Sequence, residues 1–183
     1  MPNVLVPLAQ GCEELEAVTI IDLLRRAEIN VVTASLDNEP IRASRGTVLI
    51  ADKTLDEALL EDFDMVVLPG GLPGADHLNN DPRIQDFLKQ MASSEKFTAA
   101  ICAAPKVLAT AGILSGKRAT SYPGTLEKLE LPDTSIVNNP VVIDGKVITS
   151  RGPGTAMDFA LELIEVLSGK ETRHSVETAL QRP

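Results

Sequence analysis

Cys102 is the residue whose type and surroundings best suit covalent chemistry, because it joins a short apolar run to a helix-forming segment. The run 97–101 predicts a buried strand, and Pro105 suits the first turn of a helix, where its missing N–H has no partner to lose. A cysteine at such a strand-to-helix turn lies beside free backbone N–H groups and the helix dipole, which favour a thiolate. This geometry is a nucleophile elbow with cysteine in place of serine. The alternative is a buried cysteine that packs as a small hydrophobe.

The acid expected at the same place comes from the run 13–16, Glu-Glu-Leu-Glu, at the start of the first predicted helix. Residues two apart on a helix point in different directions, so Glu14 and Glu16 cannot both face the sheet. The apolar stripe predicted to face the sheet contains Val18, Ile21 and Leu24. We therefore expect Glu16 at the edge of the site and Glu13 and Glu14 in water, although acids in a first turn also simply stabilise a helix.

The elements that would position these groups follow from alternating strand and helix patterns. Near-continuous apolar runs, typical of parallel strands buried on both faces, occur at 3–8, 30–35, 63–68 and 97–101. Helical segments are predicted at 13–27, 55–60, 84–91, 105–111, 156–167 and 171–180. Antiparallel hairpins are predicted at 40–50 and 141–149, with a short strand at 117–121. We expect one domain over 1–183, an α/β fold with a doubly wound, mostly parallel sheet and helices on both faces.

Ligands of such sheets bind outside the carboxyl ends of the strands. Four predicted turns lie at that edge, at 10–16, 70–72, 102 and 150–154. Glycines in these turns leave backbone N–H groups open to a ligand. A thiol, N–H donors and an acid are what thiol chemistry on a carbonyl or a peroxide requires, so this edge is the predicted site.

Composition and charge argue against several classes of function. The formal net charge of −9 disfavours nucleic acid and anionic membranes as partners. No segment predicts a membrane span, and the first residues lack the pattern of a signal peptide, so we expect a cytoplasmic protein with reduced thiols. The second cysteine, Cys12, is either a packed turn residue or a resolving thiol for Cys102.

Five ordered motifs make the chain similar to the ThiJ/PfpI superfamily, in the branch of the parkinsonism-associated protein deglycases, which has bacterial-type members. The motifs lie at 10–16, 44–45, 66–71, 99–105 and 149–155. They span nearly the whole chain. The resemblance implies a flavodoxin-like fold, related to the class I glutamine amidotransferases, and a homodimer. We expect no cofactor and no metal.

The resemblance also assigns roles within the predicted site. Cys102 matches the oxidation-sensitive cysteine of low pKa, and Glu16 matches the protonated acid that hydrogen-bonds it. Gly71 and Ala103 match the positions whose backbone N–H groups form an anion pocket. The protease branch has histidine directly after its nucleophile, and because Ala103 stands there, we do not expect a protease.

Five residues are expected near the mouth of the site, and Cys12 is one of them. Arg45 matches a family residue near the site and the dimer interface, and Arg26 is a weaker correspondence. Tyr122 stands where the deglycase branch often has histidine, and its phenol, with a pKa near ~10, is a poor base at neutral pH. His77 follows the glycine-rich turn and lies either at the mouth or on the surface.

The resemblance implies two kinds of function. One is glyoxalase- or deglycase-like action on methylglyoxal and its protein adducts, in which the Cys102 thiolate attacks and Glu16 moves a proton. The alternative is a redox-sensing stress chaperone in which Cys102 is oxidised to sulfinic acid with little turnover. Tyr122 in place of histidine favours weak catalysis.

Overall fold

A seven-stranded sheet forms the centre of the protein in a computed structural model that describes residues 1–183. Eleven strands follow one another along the chain: β1 (Asn3–Leu8), β2 (Asn30–Ser35), β3 (Ile41–Arg42), β4 (Val48–Leu49), β5 (Lys53–Thr54), β6 (Met65–Leu68), β7 (Phe97–Ile101), β8 (Arg118–Ala119), β9 (Ser135–Ile136), β10 (Val141–Asp144) and β11 (Val147–Ser150). The sheet order is β10-β11-β7-β6-β1-β2-β5, and only β10 runs antiparallel to its neighbour. Two small pairs, β3 with β4 and β8 with β9, lie outside this sheet.

Six helices connect and cover the strands: α1 (Glu14–Arg26), α2 (Leu55–Ala58), α3 (Gly74–Asn80), α4 (Pro82–Ser93), α5 (Pro105–Thr110) and α6 (Ala156–Ala179). Local chemistry sets several of their ends. Asp81 caps α4 by accepting a hydrogen bond from Arg83 N, and Pro82 occupies the first helical position. Gly169, with φ of 87°, interrupts α6, as its position between the two predicted C-terminal helices indicated.

The core has two layers, one on each face of the sheet. One layer packs α1 and α6 on the sheet through residues such as Ile20, Leu24 and Phe159. The other packs α2, α4 and α5 on the opposite face through residues such as Leu55, Leu88 and Leu108. The expected mostly parallel α/β fold with helices on both faces is thus confirmed, and no helix combines the length and apolarity needed to cross a membrane.

Two expectations about helices were wrong. The buried side of α1 is formed by Ala17, Ile20, Leu23 and Leu24. Leu15 and Val18 are instead exposed, so the stripe drawn through Val18 was misplaced around the helix axis. Helix α3 was not predicted at all, because it begins inside the glycine- and proline-rich segment that indicated only a turn.

Candidate active site

The predicted elbow at Cys102 is present. Strand β7 ends at Ile101, Cys102 adopts φ of 64°, and α5 begins three residues later at Pro105. Positive φ is uncommon for a residue with a side chain and persists where surrounding contacts impose it. Here Cys102 N donates to Ser150 O at 3.0 Å, and Cys102 O accepts from Tyr122 N at 2.8 Å. The elbow is therefore held from both sides by neighbouring segments.

The turn of Gly70 and Gly71 after β6 fits closely between Cys102 and the start of α1. A Cβ atom on Gly70 would lie 2.7 Å from Cys102 Cβ and 2.8 Å from Glu16 Oε2. Gly71 has φ of 90°, and a Cβ there would lie 2.4 Å from Glu13 N. Only glycine fits at these two positions without moving the backbone or the side chains of the site.

Glu16 is completely buried within the first turn of α1, although carboxyl groups rarely are. Its backbone N–H donates to Glu13 Oε2, and its own Oε2 accepts from Gly70 N at 2.8 Å. The second carboxyl oxygen, Oε1, is buried without a regular hydrogen-bond partner. Burial raises the pKa of Glu16 to about 7, and the neighbouring Cys102 thiol and the N–H of Gly70 oppose this rise.

Cys102 is buried beside this carboxyl, with 8% of its surface exposed. Burial raises the pKa of its thiol to about 12, and the negative charge of an ionised Glu16 adds to the rise. The backbone N–H groups of Gly71 and Ala103 favour a negative charge on the sulfur and so lower the pKa of the thiol. The structure thus brings together the four residues expected to form the site, Cys102, Glu16, Gly71 and Ala103. The ionisations of Cys102 and Glu16 depend on one another.

Not all of the residues expected at the mouth of the site lie next to it. Tyr122 is half exposed and adjoins the elbow through its N–H. His77 is exposed on α3 and lines a separate cleft of about 360 Å³ with Gln10. Arg26 pairs with Asp22 at 2.7 Å in the last turn of α1. Ten residues, or about 15 Å of helix, separate Arg26 from Glu16, so the structure does not bring Arg26 to the site.

Glu14 has a structural role that the sequence did not indicate. It was expected to face water, but its carboxylate accepts hydrogen bonds from Arg45 N, Thr47 N and Ser44 Oγ. Glu14 therefore fixes the turn between β3 and β4 against the start of α1, while the side chain of Arg45 remains exposed. In the sequence, the only indication of this role was the position of Glu14 in the first turn of the predicted helix, where a carboxylate is favoured by free backbone N–H groups.

Cys12 is a packed turn residue with 1% of its surface exposed. Its N–H donates to Ala9 O, its carbonyl accepts from Ser44 N, and both cysteines are free thiols. Burial and the charge of Glu14 raise the pKa of the Cys12 thiol to about 12. No group of three or more His, Cys, Asp or Glu side chains is placed to hold a metal ion.

Comparison with known proteins gives consistent matches. The DJ-1/PfpI family matches residues 2–166. Protein dj-1beta of Drosophila melanogaster is 43% identical over 97% of this chain and 96% of its own length. The crystal structure of Drosophila melanogaster DJ-1beta superposes with a TM-score of 0.95, and the superposition covers 100% of this chain and 98% of that one. Protein DJ-1 homolog B of Arabidopsis thaliana is 47% identical over 93% of this chain, which spans only 39% of that relative and 46% of the related homolog A. A Caenorhabditis elegans relative named glutathione-independent glyoxalase DJR-1.2 is 35% identical over 91% of this chain and 89% of its own.

Proposed function

Because this chain belongs to the DJ-1/PfpI family, we propose that it is a DJ-1-type stress protein that converts small α-oxoaldehydes such as methylglyoxal, free or bound to protein, through Cys102 and Glu16. The observation that carries the proposal is the buried, unpartnered Oε1 of Glu16 beside the elbow thiol. The glyoxalase name of the nematode relative supports the same chemistry.

The hydrogen bonds favour a state with a thiolate at Cys102 and a proton on Glu16. An ionised Glu16 would leave one charged oxygen buried with only the weak S–H of the Cys102 thiol as a donor, which is costly. A proton on Oε1 removes that cost, removes the charge that raises the Cys102 pKa, and supplies an O–H donor for the sulfur. The thiolate keeps the two N–H donors of Gly71 and Ala103. The pair then carries one negative charge, and the ionisation of either group depends on the protonation of the other.

The reaction begins when the thiolate adds to the aldehyde carbon and forms a C–S bond, while the carbonyl oxygen takes the proton of Glu16. The Glu16 carboxylate then removes the proton from that carbon and returns it to the neighbouring ketone carbon, while the hydroxyl proton of the first carbon passes to the ketone oxygen. The ketone thereby becomes an alcohol and the first carbon becomes a thioester. Water hydrolyses the thioester, which releases the 2-hydroxy acid and restores the thiol. The net reaction adds one water to the α-oxoaldehyde, with no external oxidant. A cytoplasmic location would keep the thiol reduced.

No histidine adjoins the nucleophile, since Ala103 follows Cys102 in the elbow. Peptide hydrolysis by a cysteine needs a base such as the histidine of a Cys–His pair, and Ala103 does not supply one. We therefore do not propose a protease.

Lactate formation from methylglyoxal tests the proposed activity. Wild type should produce lactate, and Cys102→Ser and Glu16→Gln should each reduce the rate at least about 100-fold, the scale of losing a nucleophile or a general acid–base group. Leu60→Asn, a change on the surface before β6, is the matched control and should keep the wild-type rate. Equal lactate formation by wild type and Cys102→Ser would refute the enzymatic proposal.

A redox-sensing stress chaperone is the second candidate, and the N–H groups of Gly71 and Ala103 at the sulfur favour it. One peroxide would convert the thiolate to sulfenic acid and release hydroxide, and a second would give sulfinic acid and water. A similar structure, 41% identical, is described as an oxidized DJ-1 of Toxoplasma gondii. Intact mass after mild peroxide should show a gain of two oxygens that Cys102→Ser abolishes, whereas a loss of two hydrogens would mean a disulfide with Cys12. Client binding that rises with this oxidation, without lactate formation, would favour the chaperone.

A homodimer is proposed from the apolar surface formed by α1 and the β3–β4 hairpin. Leu15, Val18, Val48 and Ile50 are all about half or more exposed there. Val18 and Ile50 line one cleft together. Exposed apolar surface marks protein interfaces, and a second copy is the partner that the resemblance implies. Sedimentation should show a dimer for wild type and for Leu60→Glu, and a monomer for Val18→Glu. A monomeric wild type would contradict the proposal.

A further inference from the structure

Two exposed side chains, Leu72 and Tyr122, stand on the segments that border the candidate nucleophile. Leu72 directly follows Gly71, whose N–H meets the Cys102 sulfur, and is 59% exposed. Tyr122 donates its N–H to the Cys102 carbonyl and is 52% exposed, with its ring against the backbone of Gly152. We call these two side chains the rim.

We propose that the rim selects α-oxoaldehydes with an aromatic or branched apolar substituent over methylglyoxal. The proposal rests on the proposed function and specifies its substrate class. Cys102 is nearly buried, so a substrate that reaches the sulfur leaves its substituent toward the mouth, next to residues adjoining the elbow. A methyl group is too small to cover a leucine side chain and a tyrosine ring together. A phenyl or isobutyl group removes more apolar surface from water, and the tyrosine ring can stack on a phenyl group.

The aromatic face of Tyr122, rather than its hydroxyl, supplies this preference. The ring carbons of Tyr122 lie next to Gly152, and this packing does not involve the hydroxyl. Tyr122→Phe should therefore keep the preference that Tyr122→Ala loses. This pair of variants separates a role in specificity from a role in proton transfer.

The first experiment compares kcat/KM for phenylglyoxal and methylglyoxal in wild type, Leu72→Asn, Tyr122→Ala and Tyr122→Phe, with the Cys102→Ser rate subtracted. The ratio should favour phenylglyoxal in wild type and fall about tenfold in Leu72→Asn and in Tyr122→Ala, the scale of a lost apolar contact in a pocket. It should stay within about twofold of wild type in Tyr122→Phe and in the matched control Leu60→Asn, whose leucine is 88% exposed before β6. An unchanged ratio in both rim variants would overturn the proposal.

A second measurement tests the rim without turnover. Cys102 is alkylated with N-benzylmaleimide or N-methylmaleimide, and the modified peptide is quantified by mass spectrometry. The benzyl reagent should react faster than the methyl reagent with wild type, relative to free cysteine, and Tyr122→Ala should remove the difference. If neither aldehyde is consumed but the benzyl preference is present, the glyoxalase proposal fails and the apolar rim stands. Equal relative rates in wild type would refute the rim.

Discussion

Cys12 and Cys102 each follow a buried parallel strand at the carboxyl edge of the same sheet, and burial raises the pKa of both thiols to about 12. Their surroundings differ. Cys102 has φ of 64° and receives N–H groups of Gly71 and Ala103 at its sulfur, with a carboxyl beside it. The backbone groups of Cys12 are used in the turn, and three glutamates only oppose its ionisation. Burial therefore does not distinguish a candidate nucleophile from a packed thiol, whereas backbone geometry and proton donors do.

The largest expected contrast is in activity between variants of the two cysteines. Cys102→Ser should abolish methylglyoxal turnover, because a serine hydroxyl does not ionise beside Glu16 at neutral pH. Cys12→Ala should keep at least about half of the wild-type kcat/KM, because its sulfur is shut off from the mouth. Steady-state kinetics checks both, and a Cys12→Ala protein as inactive as Cys102→Ser would break the comparison.

The glycine turn beside Cys102 gives the next effect. Gly70→Ala places a Cβ against Cys102 Cβ and Glu16 Oε2, so it should reduce kcat/KM by about 100-fold and destabilise the protein by about 1–3 kcal/mol. Gly154→Ala is the matched control, since no atom lies within 4 Å of a Cβ added there. Urea unfolding and kinetics report the two effects. A fully active Gly70→Ala protein would show that the close fit is not needed.

The raised pKa of Glu16 predicts how stability depends on pH. The folded protein binds a proton up to about pH 7, whereas an unfolded glutamate releases it near ~4.3. The stabilisation is thus fully present below the unfolded pKa and is lost as pH rises through the folded pKa, for a total of about 4 kcal/mol. Urea unfolding between pH 5 and 8 should show this decline in wild type and a much flatter profile in Glu16→Gln. If the stability of wild type and of Glu16→Gln declined in parallel with pH, Glu16 would not be the group that causes the decline.

The smallest expected effect is at the packed thiol. Cys12→Ala removes one buried sulfur from a close-packed turn and should lower the free energy of unfolding by about 1 kcal/mol. Thermal or urea unfolding at one pH measures it. A change above about 3 kcal/mol would mean that Cys12 stabilises the carboxyl edge of the sheet by more than the packing of its side chain.

The strands were the most predictable part of the fold. The observed bounds of β1, β2 and β7 equal the predicted ones, because a strand buried on both faces needs an unbroken apolar run. The buried face of α1 was harder to predict, because the hydrophobic residues of this helix occupy two faces. One face lies in the core, and the other, which contains Val18, lies on the exposed surface. Sequence periodicity cannot separate a core face from an apolar face kept for another partner.

The site was predictable in its parts and less so in its contacts. Residue types and the elbow pattern indicated Cys102, and the position of Glu16 followed from α1. The close fit of Gly70 and the capping of the hairpin turn by Glu14 were not predictable, because both depend on distances between segments far apart in the chain. The distance of Arg26 from the site was predictable, because Arg26 and Glu16 lie at opposite ends of the same predicted helix.

The most direct test of the central claim is a pH titration of the Cys102 thiolate by its ultraviolet absorbance, with Cys12→Ala removing the other thiol. We expect a midpoint near neutral pH, below the value of about 8.5 for a free thiol, because protonated Glu16 and the N–H groups of Gly71 and Ala103 stabilise the anion on sulfur. A midpoint at or above about 8.5 would place the charge on Glu16 and contradict both the glyoxalase and the redox-sensing proposals.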